Sequence, residues 1–470
     1  MQDICYYQTM KEIEKFILPL TAEQFASALA KGQGRAFLHL RDFMRQEDIP
    51  ALLDACLNNK VYDQQSEACR ANWLWALMGQ AGVRDRFRDP ILKALLEDGS
   101  FDDILQLVRL AELFAMEGDD LARDAIYARQ ESHPDAGDWQ ADISILRLDR
   151  LAGLRRILAV RGRAVKDNPD CWVDEGVIEL AADLLGADEV HGAVARWKEE
   201  DPDVRIYMES VTKWWEQDGD AHVYREGGAM NNILLKEPNP KRKEYPCEEL
   251  LKEIYESEPT KKRGWFMSRG AECAGKHDLS HIWQLILTEK DKHILARMLW
   301  VFAKVKAQEL NSRVLELAES EDEELCHAAL LVIRHFQDAK VRELALRGLE
   351  RGPKMNMSYY IDLLILNYEP GDARLIWRAV GRLEDGEDIH YAGVSLGKLA
   401  GYVGDCQLTE LMVWIYERTS CSICRETALT ILIDFQKAPD WVLDECEYDA
   451  SDSVRGIAGE APWPGPNPAN

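Results

Sequence analysis

A chain of 470 residues is too long for one compact core and suits two or three domains or one elongated array. With 46% hydrophobic and 30% charged residues it reads as globular rather than disordered, and its formal net charge of −26 opposes DNA, RNA or anionic lipid unless basic residues are segregated into a patch. No apolar run approaches the ~18 residues of a membrane span.

The N-terminal stretch MQDICYYQTMKEIEKF has no basic segment leading into an apolar one, so no secretory leader is expected. Eleven cysteines, an odd number scattered without a framework, favour a reducing cytosol over a disulfide scaffold. The expectation is a cytoplasmic protein with neither a membrane nor a nucleic acid as partner.

Residues 1–216 read as helical but irregular. Cys69-Arg70-Ala71-Asn72-Trp73-Leu74-Trp75-Ala76-Leu77 fits an amphipathic helix, and Ile104-Leu105-x-Leu107-Val108-x-Leu110 continues the helical spacing. Arg147 to Lys166 inverts the local charge, with six arginines and one lysine against Asp149 alone. Arg155, Arg156, Arg161 and Arg163 form two close pairs there. A helix broken near Gly162 would let them converge on an anion or an acidic partner segment, because guanidinium forks match oxyanions. The alternative is a solvated helix face paired to acidic neighbours. Asp174-Glu175 suits a helix N-terminus. In Trp214-Trp215 the two indoles point about 100° apart on a helix, so one is either a partner anchor or packed against the irregular segment after residue 216.

Residues 217–277 read as an irregular insert, on Asp218-Gly219-Asp220, Gly227-Gly228, Pro238, Pro240, Pro246 and two Lys/Arg triplets. Cys273, His277 and His281 would align as metal ligands only on one unbroken helix, which Gly275 and Asp278 argue against.

From residue 278 onward a repeat emerges. Val341-Arg342-Glu343-Leu344-Ala345-Leu346-Arg347-Gly348-Leu349 sets an apolar face with a small residue where another helix must approach. The pattern returns at Cys424-Arg425-Glu426-Thr427-Ala428-Leu429-Thr430-Ile431-Leu432, at Leu325 with Ala329, Leu330 and Ile333, and at Val454-Arg455-Gly456-Ile457-Ala458. Looser copies begin at Leu295, Ser358 and Tyr391. The starts lie about 30 to 33 residues apart, one helical hairpin per unit, with Val341 half a period out of phase as a first helix of its pair. Breaker and capping residues precede the second helices at Asp291, Asp322, Arg351-Gly352-Pro353, Asp385-Gly386 and Thr419-Ser420. Cys421-Ser422-Ile423-Cys424 places Cys424 on the apolar template, as a buried structural cysteine. A redox role would need a strand leading into that helix. Residues 461–470 read as a Pro-rich flexible tail.

The Val-Arg-x-x-Ala-Leu-x-x-Leu run at 341–349 and Val454-Arg455-x-x-Ala458 resemble the HEAT-repeat superfamily, over roughly residues 278–460. The resemblance implies an all-α fold, an α-solenoid of stacked helical hairpins, with a less regular helical N-terminal part. It also implies an interaction scaffold with a protein partner, a basic one given the charge. Two alternatives come from relatives: a nucleobase-acting enzyme of the helical-repeat DNA glycosylase type, and a lyase-like chaperone. There is no G-x-S-x-G, P-loop or Rossmann fingerprint, so no catalytic residue is assigned and no cofactor or metal is expected.

Overall fold

The computed structural model describes residues 17–64, 66–67, 69–134, 139–171, 173–217, 247–257, 262–274, 279–351, 357–384 and 386–459, without the side chains of 214–217 and 247. Among them are 25 α-helices and no strand. None is long and apolar enough to cross a membrane. Two compact units result, one from described residues within Lys15–Pro238 and Leu443–Asn470, the other from those within Asn239–Val442.

The first unit opens with α1 (Ala22–Lys31), α2 (Arg35–Phe43), α3 (Ile49–Leu57), α4 (Ala71–Gln80), α5 (Arg84–Leu95) and α6 (Phe101–Met116). It continues with α7 (Asp120–Ser132), α8 (Gln140–Asp167), α9 (Gly176–Leu185), α10 (Ala187–Glu200) and α11 (Pro202–Gln217). Helices two apart in sequence pack together: α2 on α4, α4 on α6 and α6 on α8, with α1 on α3, α3 on α5 and α5 on α7 beside them. Burial follows position. In α6 it extends around the helix, from Ile104 through Leu107 and Leu110 to Ala115, because neighbours cover several sides. Ser100 starts α6 by accepting from the Asp103 N–H at 3.2 Å.

Helix α8 bends sharply at Arg150, whose φ of 49° and ψ of −129° lie outside the usual region of a side-chain-bearing residue. The break expected near Gly162 is therefore a dozen residues earlier. Gly162 sits instead inside the continuous second half of α8, where the backbone of α11 comes so close that a Cβ would stand 1.9 Å from the Asp203 carbonyl oxygen.

The second unit begins with α12 (Cys247–Glu256), α13 (Arg263–Ala274), α14 (Ser280–Leu285), α15 (Lys292–Phe302), α16 (Ser312–Leu317), α17 (Glu323–Ile333) and α18 (Ala339–Glu350). Then come α19 (Met357–Leu364), α20 (Asp372–Val380), α21 (Gly386–Val403), α22 (Thr409–Arg418) and α23 (Ser422–Asp434), with α24 (Asp440–Cys446) running across the boundary after Val442. The expectation of an irregular 217–277 is corrected within its second half, where two helices lie between residues 247 and 274. Leu250 and Ile254 give α12 a buried stripe, and Phe266, Gly270 and Cys273 do so for α13. The prolines that suggested irregularity all precede α12 and, with Gly227-Gly228 and the 461–470 tail, lie outside the described residues.

Alternate helices again pack on one another: α13 on α15, then α17, α19, α21 and α23 in turn. These helices carry the template copies at Leu295, Leu325, Ser358, Tyr391 and Cys424, while Val341 lies on α18, between two of them. In α17 every residue from Leu325 to Ile333 except His327 is buried. The intervening α20 buries one face, through Ala373, Ile376 and Ala379, and exposes Arg374 and Arg378. Ala345, Ala428 and Leu429 have no exposed surface. Asp291 and Asp322 cap α15 and α17 as expected. Residues 352, 353 and 385 of the other breakers lie outside the described residues.

Contacts between residues about 30 to 33 positions apart tie helices that are not adjacent in sequence. The Ala303 carbonyl, past the end of α15, accepts from Arg334 at 3.0 Å, and the Phe336 carbonyl, past α17, accepts from Asn367 at 2.9 Å. In both cases a carbonyl left over at a helix end is satisfied by a side chain 31 residues further along the chain. Lys292–Asp322 at 3.1 Å and Arg342–Asp372 at 2.6 Å repeat the spacing. So do Ser144–Glu112 at 2.6 Å and Arg84–Glu117 at 3.1 Å in the first unit.

The final copy of the template, at Val454, departs from this series. It forms α25 (Asp452–Ala458), which with the residues from Leu443 belongs to the first unit. There Glu445, fully buried, receives Arg35 through Nε at 2.7 Å and Nη2 at 2.6 Å. Trp73 Nε1 donates to the Tyr448 carbonyl at 3.0 Å, and Tyr448 stacks on Phe37 with centroids 5.0 Å apart. The Ala450 N–H bonds the carbonyl of Gly32, whose φ of 72° ends α1. Gly34 is glycine for proximity: a Cβ there would lie 2.0 Å from the Glu445 carbonyl oxygen.

Candidate functional sites

The four arginines singled out in the charge-inverted segment are each paired to a carboxylate. Arg155 reaches Glu200 at 3.8 Å and Asp201 at 3.6 Å, and Arg156 reaches Glu131 on α7 at 2.7 Å while lying over the Tyr127 ring. Arg163 reaches Asp203 at 3.3 Å. Arg161 is buried; it bonds Asp142 at 2.5 Å and the Tyr207 hydroxyl at 3.2 Å. Burial opposes its charge, but Asp142 and Tyr207 outweigh that and raise its proton affinity. With the bend at Arg150 rather than Gly162, α8 directs its second half along neighbouring acidic helices, and each of these four guanidinium groups meets a carboxylate. The backbone of Trp214 and Trp215 continues α11, and their side chains lie outside the described residues.

Cys273 and His281 fall on separate helices, α13 and α14, and His277 lies outside the described residues. Asp174 performs the role expected of it, accepting from the Gly176 N–H at 3.0 Å where α9 begins.

Two buried clusters escaped the sequence reading. In one, His39 Nε2 lies 3.0 Å from Asp48 and its Nδ1 accepts the Leu20 N–H at 3.1 Å. Both side chains are fully buried. With a backbone donor on Nδ1, the neutral ring carries its proton on Nε2, facing Asp48. Both ring nitrogens are thereby occupied, and the pair braces the chain instead of offering a base. Burial pushes the Asp48 carboxyl up, but hydrogen bonds from Arg45 and His39 prevail and hold it below the usual range. In the other, Glu112 on α6 is buried beside Arg109, accepts the Ser144 hydroxyl at 2.6 Å and lies 3.6 Å from Arg147 on α8. The two arginines and the hydroxyl satisfy one buried carboxylate between the packed helices α6 and α8.

A third cluster bears soft ligands. Cys421 is the N-cap of α23 and Cys424 lies in its first turn; both are buried. His390, half-buried on α21, places Nδ1 3.4 Å from Cys424 Sγ. The ligand atoms of His390, Cys421 and Cys424 all lie within 4.8 Å of one another. The Cys421 thiol and burial together push the Cys424 thiol up. The sequence reading saw the two cysteines and missed the histidine. The signal was the repeat itself: residue 390 immediately precedes one copy's start and residue 424 is the start of the next.

Comparison with protein-family models, with curated proteins and with solved structures gave no match.

Proposed function

We propose that the chain is a non-enzymatic interaction scaffold, an α-solenoid of HEAT-like hairpins that presents a largely acidic surface to a basic protein partner in the cytoplasm. The stacked-hairpin reading rests on the packing of alternate helices and the ties between residues one period apart. Repeats so joined bury their core against neighbours and leave an extended face for binding.

The observation that carries the binding role is an exposed stripe on α21. Tyr391, Val394 and Tyr402 are 52%, 38% and 65% exposed at helical spacing, with Glu387 and Lys398 completing the row. Ile423 is also exposed, at 44%, on α23, which packs against α21. Large aromatics left in solvent on a rigid helix are the residues that anchor protein interfaces. A net charge of −26 steers basic partners toward such a surface. The paired state of Arg155, Arg156, Arg161 and Arg163 gives the nucleobase-acting alternative no basic face to use at that segment.

The test compares the intact chain with a Tyr391→Ser/Tyr402→Ser variant as bait in native lysate. Exposed substitutions of this kind leave stability within about 0.5 kcal/mol. A protein retained by the wild type and lost from the variant supports the reading. Capture indifferent to both tyrosines sinks it.

A further inference from the structure

We propose that His390, Cys421 and Cys424 bind one thiophilic divalent metal ion of the zinc class, pinning α21 to α23. The distances suit it. With metal–sulfur bonds of about 2.3 Å and metal–nitrogen bonds of about 2.0–2.1 Å in a tetrahedron, neighbouring sulfur and nitrogen ligands stand about 3.5 Å apart. Cys424 Sγ and His390 Nδ1 stand 3.4 Å apart. Cys421 Sγ lies within 4.8 Å of both, so small side-chain rotations bring all three onto one ion.

The local structure suits the chemistry as well. The Cys-x-x-Cys spacing at the start of a 13-residue helix sets two sulfurs on one side of its first turn. The amide groups of that helix end oppose in part the effect of Cys421 and burial on Cys424, and a bound divalent cation supplies the stronger pull toward the thiolate that binds it. A third soft donor from the preceding repeat then faces the pair. A disulfide between Cys421 and Cys424 would give His390 nothing to do, whereas a metal uses all three groups. His390 is half-buried, which leaves an approach from solvent, and among the described residues no fourth His, Cys, Asp or Glu joins the group. Binding releases the two thiol protons to solvent, so uptake weakens on acidification.

The experiment uses the full chain, metal-depleted and reduced with a phosphine, and titrates it with Co(II). The wild type is expected to develop a thiolate-to-cobalt charge-transfer band that saturates at one ion per chain and is displaced by Zn(II). Cys421→Ser/Cys424→Ser removes the band, whereas Cys406→Ser, which changes an exposed cysteine, leaves it intact. His390→Ala keeps sulfur ligation but weakens Co(II) binding by about tenfold or more, since losing a ligand costs no less than losing its support. Absence of the band in the reduced wild type overturns the proposal, as does a band that survives the double cysteine variant. If circular dichroism shows the double variant unfolded, His390→Ala decides, and unchanged Co(II) affinity in it overturns the proposal equally.

Discussion

Replacing Glu445 with Ala should release the C-terminal segment from the helices it packs against. Glu445 accepts two guanidinium bonds from Arg35, at 2.7 and 2.6 Å, and a third from the Arg35 backbone N–H at 3.3 Å. Its side chain has no exposed surface and that of Arg35 has 9%. A buried pair broken from one side costs about 3–5 kcal/mol, because the remaining charge keeps its desolvation penalty and loses its partner. At about 1.36 kcal/mol per decade, that loss corresponds to roughly 10²–10⁴-fold faster amide exchange across residues 443–459. Hydrogen exchange followed by mass spectrometry reads this segment directly, without requiring both units to unfold together. Arg35→Met/Glu445→Leu should recover part of the loss, since an apolar pair of similar volume replaces a buried ion pair at little cost. Full recovery is not expected, because the Arg35 N–H loses its acceptor, worth about 1–3 kcal/mol when buried. Exchange in Glu445→Ala within about threefold of wild type would refute the reasoning, because a pair this deeply buried cannot be lost so cheaply.

Ala428→Glu should destabilise the second unit by about 3–5 kcal/mol, because it places a charge where α23 has no exposed surface; an unchanged melting curve would contradict the helix register. The Asp48 carboxyl is depressed in the folded state, so its contribution is fully present above the unfolded value of about 3.9 and is lost as pH falls through the lower folded value. Asp48→Asn should therefore flatten the loss of stability below about pH 4, and a variant with the wild-type acid profile would show that Asp48 is not the group responsible.

Much of the helical layout was legible because it depends on local pattern. The template copies at Leu295, Leu325, Ser358, Tyr391 and Cys424 name the helices that pack in series, and Asp291 and Asp322 mark their starts. What misled the reading was composition standing in for structure. Prolines before residue 247 concealed the two helices behind them, and Gly162 suggested a break where it only makes room for Asp203. The Val454 copy matched the template, yet its fate was decided by partners far away in sequence, Arg35, Phe37 and Trp73, which no window around residue 454 contains.

The sites divide in the same way. A run of like charge cannot announce its own counterions, because Glu131, Asp142, Glu200, Asp201 and Asp203 reach the arginines only once the helices around α8 are in place. A regular repeat is the exception, since it turns a fixed separation in sequence into proximity in space. Gly397 faces Thr427 and His327 lies beside Tyr359, at separations of about one period. Cys424 and His390, 34 residues apart, obey the same rule. Stacking consecutive copies in phase, before asking which residues bear ligand atoms, places a histidine against a Cys-x-x-Cys that a search within single helices sees as two buried thiols. Where a template recurs in the sequence about every 30 to 33 residues, the spacing to examine for a metal site is that period as well as the helical turn.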